Sequence, residues 1–374
     1  MEHTPTTTLE RQLIARAAAL RRPVSGSLEL TPLCNMNCRM CYVRLSPRQA
    51  RAAGALRTGQ QWAELAHPMA RAGVLFLLLT GGEPLLVPGF KELYLALKAE
   101  GMVLTLNTNG TLLDEPWADF FARHKPRRVN ITLYGADDAA YETLCRCPGG
   151  FEKALAAVRL LRARGVDVKL NGSVTPENFG EMDRLYAIAR QLDVPMHMDA
   201  YMMPGGPGRK NPAEGVRLAP AQAAAARLHA LEAETDPAAL DAWAEEMLAR
   251  AEHPGHWPDT PLCQGGATSF NISWQGMLRP CVASTAPTAP VFEQGFEAAW
   301  QAVSEAVPRL QRVNEACTRC RLRPLCNTCA AAARLETGRF DGLPDYICQS
   351  AEEFLRLLKQ RQARRREADH GQTL

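Results

Sequence analysis

The stretch SLELTPLCNMNCRMCY, Ser27 to Tyr42, runs from a short strand-like segment directly into three cysteines, Cys34, Cys38 and Cys41. A structural zinc ion or an iron–sulfur cube takes four protein ligands. Three thiols on one tight loop leave a coordination position open, and an open position is how a metal centre takes a substrate. The strand ahead of the loop poses the question of fold. It decides whether Ser27 opens a repeating strand–helix series.

Five further apolar runs answer it: VLFLLLT (74–80), MVLTLNT (102–108), RVNITLY (128–134), VDVKLNGSV (166–174) and VPMHMDAYMM (194–203). Helical patterns near 60–72, 88–100, 114–123, 149–164 and 179–192 separate them, with Gly101 and Gly165 where helix C-termini should fall. Such alternation predicts an α/β fold with a parallel sheet and helices outside. Six units make a partial (β/α)6 TIM-like barrel, and its chemistry belongs at the C-terminal strand ends. The cysteine loop, GGEP (81–84), NTNG (107–110) and YGADD (134–138) all fall there. PGGPGRKNP (204–212) breaks the pattern, an Ala-rich helical stretch follows to about 252, and HPGHWPDTPL (253–262) reads as a linker. The expected division is an N-terminal helical extension (1–26), the barrel with trailing helices (27–252), a cysteine-rich domain (253–349) and a basic C-terminal helix (350–374).

The 374 residues carry a net charge of +3 and twelve cysteines. Near-balanced charge argues against a dedicated nucleic-acid or membrane-surface binder. The N-terminus has no apolar signal-peptide core, and no run is long enough to span a membrane. Twelve cysteines without an export signal point to metal, cluster or redox chemistry in the cytoplasm rather than to disulfides.

The spacing C-x3-C-x2-C followed by aromatic Tyr42 resembles the signature of the radical S-adenosylmethionine (SAM) enzymes. The resemblance implies that Cys34, Cys38 and Cys41 hold a [4Fe–4S] cluster whose open iron is chelated by SAM. One electron then cleaves SAM to methionine and a 5′-deoxyadenosyl radical. GGEP (Gly81, Gly82, Glu83, Pro84) resembles the family's strand-2 motif, which holds the methionine amino group. Its glycines suit a close backbone approach to a ligand, and its carboxylate suits an ammonium. TNG, with Asn109, and TLYGA resemble the strand-3 and strand-4 motifs. By that similarity Thr132 contacts the ribose and Arg146 the SAM carboxylate. No catalytic base is assigned. Asp199 and Tyr201 face the site if the sixth strand keeps its expected register.

Seven cysteines lie between 263 and 348. Two C-x2-C pairs alone are compatible with a zinc ribbon. The full order of Cys263, G-x4-C ending in Cys281, the run Cys317, Cys320, Cys326, Cys329, and then Cys348 resembles the SPASM domain, which carries two auxiliary iron–sulfur clusters. That likeness implies a distal cluster on Cys317, Cys320, Cys326 and Cys348. The proximal cluster would take Cys263, Cys281 and Cys329, one protein ligand short. His253 or His256 is a candidate to fill that place, with a surface-linker role the expected one, and Cys145 and Cys147 belong to neither set.

The resemblance implies an oxidoreductase acting on a peptide or protein. Its preferred form is a maturase of ribosomally made peptides that forms thioether or carbon–carbon crosslinks. A sulfatase-maturase-like formylglycine enzyme, a small-molecule SPASM oxidase and a zinc scaffold are the alternatives. Val282 stands where sulfatase maturases carry an aspartate base. A reductant such as flavodoxin or ferredoxin is implied. Only about 26 residues precede the first strand, too few for a leader-binding domain, so a separate leader-recognition protein or the barrel itself would bind the leader.

Overall fold

The computed structural model describes residues 8–205, 215–259, 263–326 and 328–371. Six parallel strands follow the expected runs: β1 (Ser25–Glu29), β2 (Phe76–Thr80), β3 (Val103–Thr108), β4 (Arg128–Thr132), β5 (Val168–Ser173) and β6 (Met196–Asp199). They lie side by side in sequence order. Along each strand the residues alternate between faces. Leu77, Leu79, Leu104, Leu106, Val129, Ile131, Val168 and Leu170 are buried in the main core. The alternate positions include Ser27, Thr105, Asn107, Asn130, Lys169 and Asn171. A parallel sheet buried on both faces is usually apolar throughout. Here the second face is largely polar.

Gly101 and Gly165 end their helices with φ of 81° and 66°, in the left-handed region glycine adopts freely. The helix expected over 60–72 is split into Gly59–Ala63 and Ala66–Ala72. A helix absent from the sequence reading, Asp138–Cys145, follows β4 and is N-capped by Asp137.

The sheet does not stop at six strands. β7 (Ser269–Ile272) pairs in parallel with β1, and β8 (Met277–Arg279) and β9 (Ala289–Pro290) continue antiparallel, giving nine strands. The cysteine-rich part of the chain therefore extends the barrel wall. Gly26 is the device that permits it, because a Cβ there would lie 2.2 Å from the Phe270 ring.

Cys348 lies on the long helix Asp345–Gly371, which begins five residues before the expected boundary at 350. That helix packs on Pro220–Glu234 and Pro237–Glu252 around Leu228, Leu248, Phe354 and Leu358. Its basic side is partly neutralised, since Arg361 pairs with Glu232 and Asp241, and Arg365 with Asp241. The N-terminal helix Thr8–Leu20 lies at the opposite end of the barrel from the cysteine loop, where Glu10 pairs with Arg127 at 3.0 Å. A cavity of about 270 Å³ there is lined by Glu10, Ile14, Ser25, Phe76, Thr105 and Arg128. Lying at the N-terminal strand ends, it is remote from the expected chemistry. Among the described residues no helix is long and apolar enough to cross a membrane.

Candidate active site

The cysteine loop leaves β1 and docks on the end of the helix Asp138–Cys145. Asn37 N–H donates to Cys145 O at 3.0 Å and Arg39 N–H to Leu144 O at 2.8 Å. The Arg39 side chain pairs with Glu177 beyond β5. Inside the loop, Met36 N–H donates to Cys34 Sγ at 3.4 Å and Arg44 N–H to Cys41 Sγ at 3.3 Å. Such bonds favour a thiolate. Burial acts the other way and, with Glu83, Cys38 and Cys41 nearby, pushes the metal-free Cys34 thiol up to about 12. A bound cation would reverse that balance by holding the sulfur deprotonated. Soft sulfur donors met by backbone N–H groups fit an iron–sulfur cluster.

GGEP closes over the chain leading into this loop. Gly82 N–H donates to Thr31 O at 2.6 Å and Glu83 N–H to Leu33 O at 2.8 Å. A Cβ on Gly81 would lie 2.6 Å from Thr31 O, and one on Gly82 2.1 Å from Leu33 O. The two glycines thus have a reason apart from ligand approach. They let the second strand's exit pack against the first's.

The Glu83 carboxyl is fully buried and acts as a staple. Oε1 accepts from Leu85 N–H at 3.1 Å and from the Thr108 hydroxyl at 2.8 Å, and Oε2 accepts from Asn109 N–H at 2.9 Å. Burial pushes this carboxyl up to about 7 against the three donors. Its oxygens are engaged within the protein, where the sequence reading expected an ammonium. Asn109 carries the connection onward, donating to Asn35 Oδ1 at 2.8 Å and to Cys34 Sγ at 3.6 Å. Strands β2 and β3 are thereby tied to the first cysteine.

Tyr42 is tied to the barrel wall. Its hydroxyl donates to Glu29 Oε1 at 3.3 Å, while Arg279 donates to Glu29 Oε2 at 2.8 Å and to Asn271 Oδ1 at 2.6 Å. Asn271 in turn donates to Ser27 Oγ at 2.8 Å. Glu29 is wholly buried and Arg279 nearly so. This chain of bonds runs from the cysteine loop to the strand preceding Cys281. Sequence reading missed both charges, although a lone carboxylate in SLELT and a lone arginine in GMLRPC were the available signals.

Thr132 ends β4, and its carbonyl accepts from the Tyr141 hydroxyl at 2.9 Å. Arg146 follows the helix Asp138–Cys145 with φ of 49° and an exposed side chain, adjacent to the carbonyls that bind the cysteine loop. Asp199 ends β6 exposed and accepts from Tyr201 N–H. Tyr201 lies beyond the strand, its hydroxyl donating to Glu336 at 2.9 Å, and Glu336 also pairs with Arg217. Cys145 is buried, and half-buried Cys147 lies near Cys38, whose charge acts on it.

The structure sorts the seven C-terminal thiols into two neighbourhoods. Cys281 feels the charges of Cys329 and Cys263, and Cys329 feels that of Cys263. Cys326 feels Cys348 and Cys317, while Cys348 feels Cys317 and Cys320. Thr328 N–H donates to Cys326 Sγ at 3.3 Å and Ala332 N–H to Cys329 Sγ at 3.4 Å, so these donors also suit thiolates. His253 and His256 are exposed. Among the described residues, no three His, Cys, Asp or Glu side chains converge as they would around one metal ion.

The partial parallel barrel thus gathers the three-cysteine loop, GGEP and TNG at its strand ends, and the named relatives of the chain mark it as an enzyme. Residues 28–189 match the Radical SAM superfamily, and the chain carries a radical SAM domain. With that domain come a [4Fe–4S] cluster and SAM. The AdoMet-dependent heme synthase of Methanosarcina barkeri is 26% identical over 83% of this chain and 92% of its own length. The PqqA peptide cyclase of Gluconobacter oxydans is 29% identical over 50% of this chain, which spans about half (52%) of that relative. In fold, the chain matches SuiB of Streptococcus suis with a TM-score of 0.67 at 14% identity, covering 93% of this chain and 83% of SuiB.

Proposed function

We propose that the protein is a cytoplasmic radical SAM/SPASM maturase that forms an oxidative thioether or carbon–carbon crosslink in a ribosomally made peptide. The observation that carries the reading is the pair of thiol neighbourhoods joined to the barrel wall through β7, β8 and Arg279. Bond formation after hydrogen abstraction releases an electron, and two auxiliary clusters at these thiols would accept electrons. The relatives named PqqA peptide cyclase support a peptide substrate. When bound, the cluster at Cys34, Cys38 and Cys41 and its SAM supply the hydrogen-abstracting radical.

The chain's own residues do the positioning. Glu83 and Asn109 hold the strand ends against the cysteine loop, Glu29 orients Tyr42, and the backbone of Gly81–Pro84 is the surface offered to SAM. Thr132 and Arg146 complete the set proposed to contact SAM. A flavodoxin or ferredoxin reductant and a separate leader-recognition protein belong to the same proposal. Val282, 38% exposed beside Cys281, supplies no base of the kind sulfatase maturases use there.

A second reading, a tetrapyrrole substrate, is favoured by the heme synthase relative that this chain matches along most of both lengths. One experiment separates them. Anaerobically reconstituted protein is given SAM and dithionite, beside a Cys34→Ala/Cys38→Ala/Cys41→Ala variant, with co-encoded peptides or an iron porphyrin added in turn. The maturase reading expects 5′-deoxyadenosine from the wild type alone and a peptide lighter by two hydrogens. An unchanged peptide with tight porphyrin binding, seen as a Soret shift, overturns it in favour of the tetrapyrrole.

A further inference from the structure

Arg323 stands between Cys320 and Cys326 in the chain and is 5% exposed. Its N–H donates to Cys320 O at 3.1 Å, and its Nη1 to Thr328 O at 3.3 Å, between Cys326 and Cys329. Its Nε is buried without a hydrogen-bond partner among the described residues. Other arginines of this region are paired, Arg312 with Asp259, Arg321 with Glu352 and Arg217 with Glu336. Among the described residues Arg323 has no carboxylate.

A buried guanidinium without a counter-anion is strongly unfavourable, so the site calls for negative charge. The groups around it show where that charge belongs. The Thr328 carbonyl that accepts from its Nη1 stands between Cys326 and Cys329, and the Cys320 carbonyl accepts from its backbone N–H, so the guanidinium lies inside the loop that carries thiols of both sets. Cys317 and Cys326 belong to one thiol neighbourhood and Cys329 to the other. The cation therefore reaches both.

We infer that Arg323 is the shared counter-charge of two anionic auxiliary iron–sulfur clusters, a positioning residue that makes both easier to reduce. The inference rests on the auxiliary clusters of the proposed function. Uptake of one electron by such a cluster adds one negative charge and transfers no atom. A fixed cation stabilises the reduced form more than the oxidised one, which raises the potential.

The test uses the full chain carrying Cys34→Ala/Cys38→Ala/Cys41→Ala, so that only auxiliary iron remains. It is reconstituted anaerobically and titrated with dithionite through redox mediators, followed by electron paramagnetic resonance. Arg323, Arg323→Lys and Arg323→Gln are compared for iron content and reduction midpoint. The expected result is a tenfold or larger shift toward the oxidised form for Arg323→Gln, about 59 mV for one electron. Arg323→Lys retains most of the original midpoint. Equal midpoints in all three proteins at full iron content overturn the inference. Absence of iron in the Arg323 parent overturns the cluster reading, and the inference with it. If both substitutions lose iron, melting of the metal-free proteins decides. Unchanged melting supports the counter-charge, and an equal loss of stability makes Arg323 merely structural.

Discussion

The Glu83 carboxyl lies where three donors converge on a site closed to water, so its protonation is coupled to folding. Burial raises it from 4.5 to about 7. Between those values the unfolded chain releases a proton that the folded chain keeps. Stability of the metal-free protein should therefore fall as pH rises from about 4.5 to 7, by about 3 kcal/mol for this group, and level off above. Glu83→Gln should remove that slope in urea unfolding across the pH range. It should also cost about 1–3 kcal/mol near neutrality, since an amide NH2 replaces one acceptor facing these donors. GGEP was legible in the sequence as a unit of the site. Its internal role was not, because the partners Thr108 and Asn109 come from the next strand and Thr31 and Leu33 from the previous one.

At the scale of elements, six strands were readable because each is a short apolar run bounded by turn residues and separated by a helix-length interval. β7 to β9 were not, since SFNI, MLR and AP are too short to show a period. The glycines at the strand contacts give sharp tests. Gly82→Ala places a Cβ 2.1 Å from Leu33 O and should displace the cysteine loop. Anaerobic reconstitution should then show less iron bound, with stability to unfolding lowered by about 1–3 kcal/mol. Gly26→Ala places a Cβ 2.2 Å from the Phe270 ring, so the fault lies between β1 and β7. A comparable loss of stability is expected with the Cys34 loop still loading iron. Iron lost equally in both variants would show that the two contacts are not separable.

Across the whole molecule the buried Glu29–Arg279 pair joins the two cysteine-bearing halves. Arg279→Ala leaves Glu29 buried and uncompensated and should cost about 3–5 kcal/mol in chemical unfolding. Glu29→Gln/Arg279→Met removes both charges and should recover most of that loss while leaving Tyr42 without its carboxylate acceptor. SAM affinity should stay impaired in the double variant even as stability returns. Recovery of both together would mean the pair only holds the fold.

The sequence by itself determined the strand–helix series, the three-thiol loop with its open ligand position and the count of thiols available to further clusters. Each of these is written in local spacing: apolar period, turn residues, and cysteines a few positions apart. Only the tertiary structure decided that the cysteine-rich region completes the sheet at β1, that Glu83 serves as a staple, and that Arg279 and Arg323 are buried charges. Those facts depend on contacts between residues far apart in the chain, such as Glu29 with Arg279, and burial is created only when the whole chain folds.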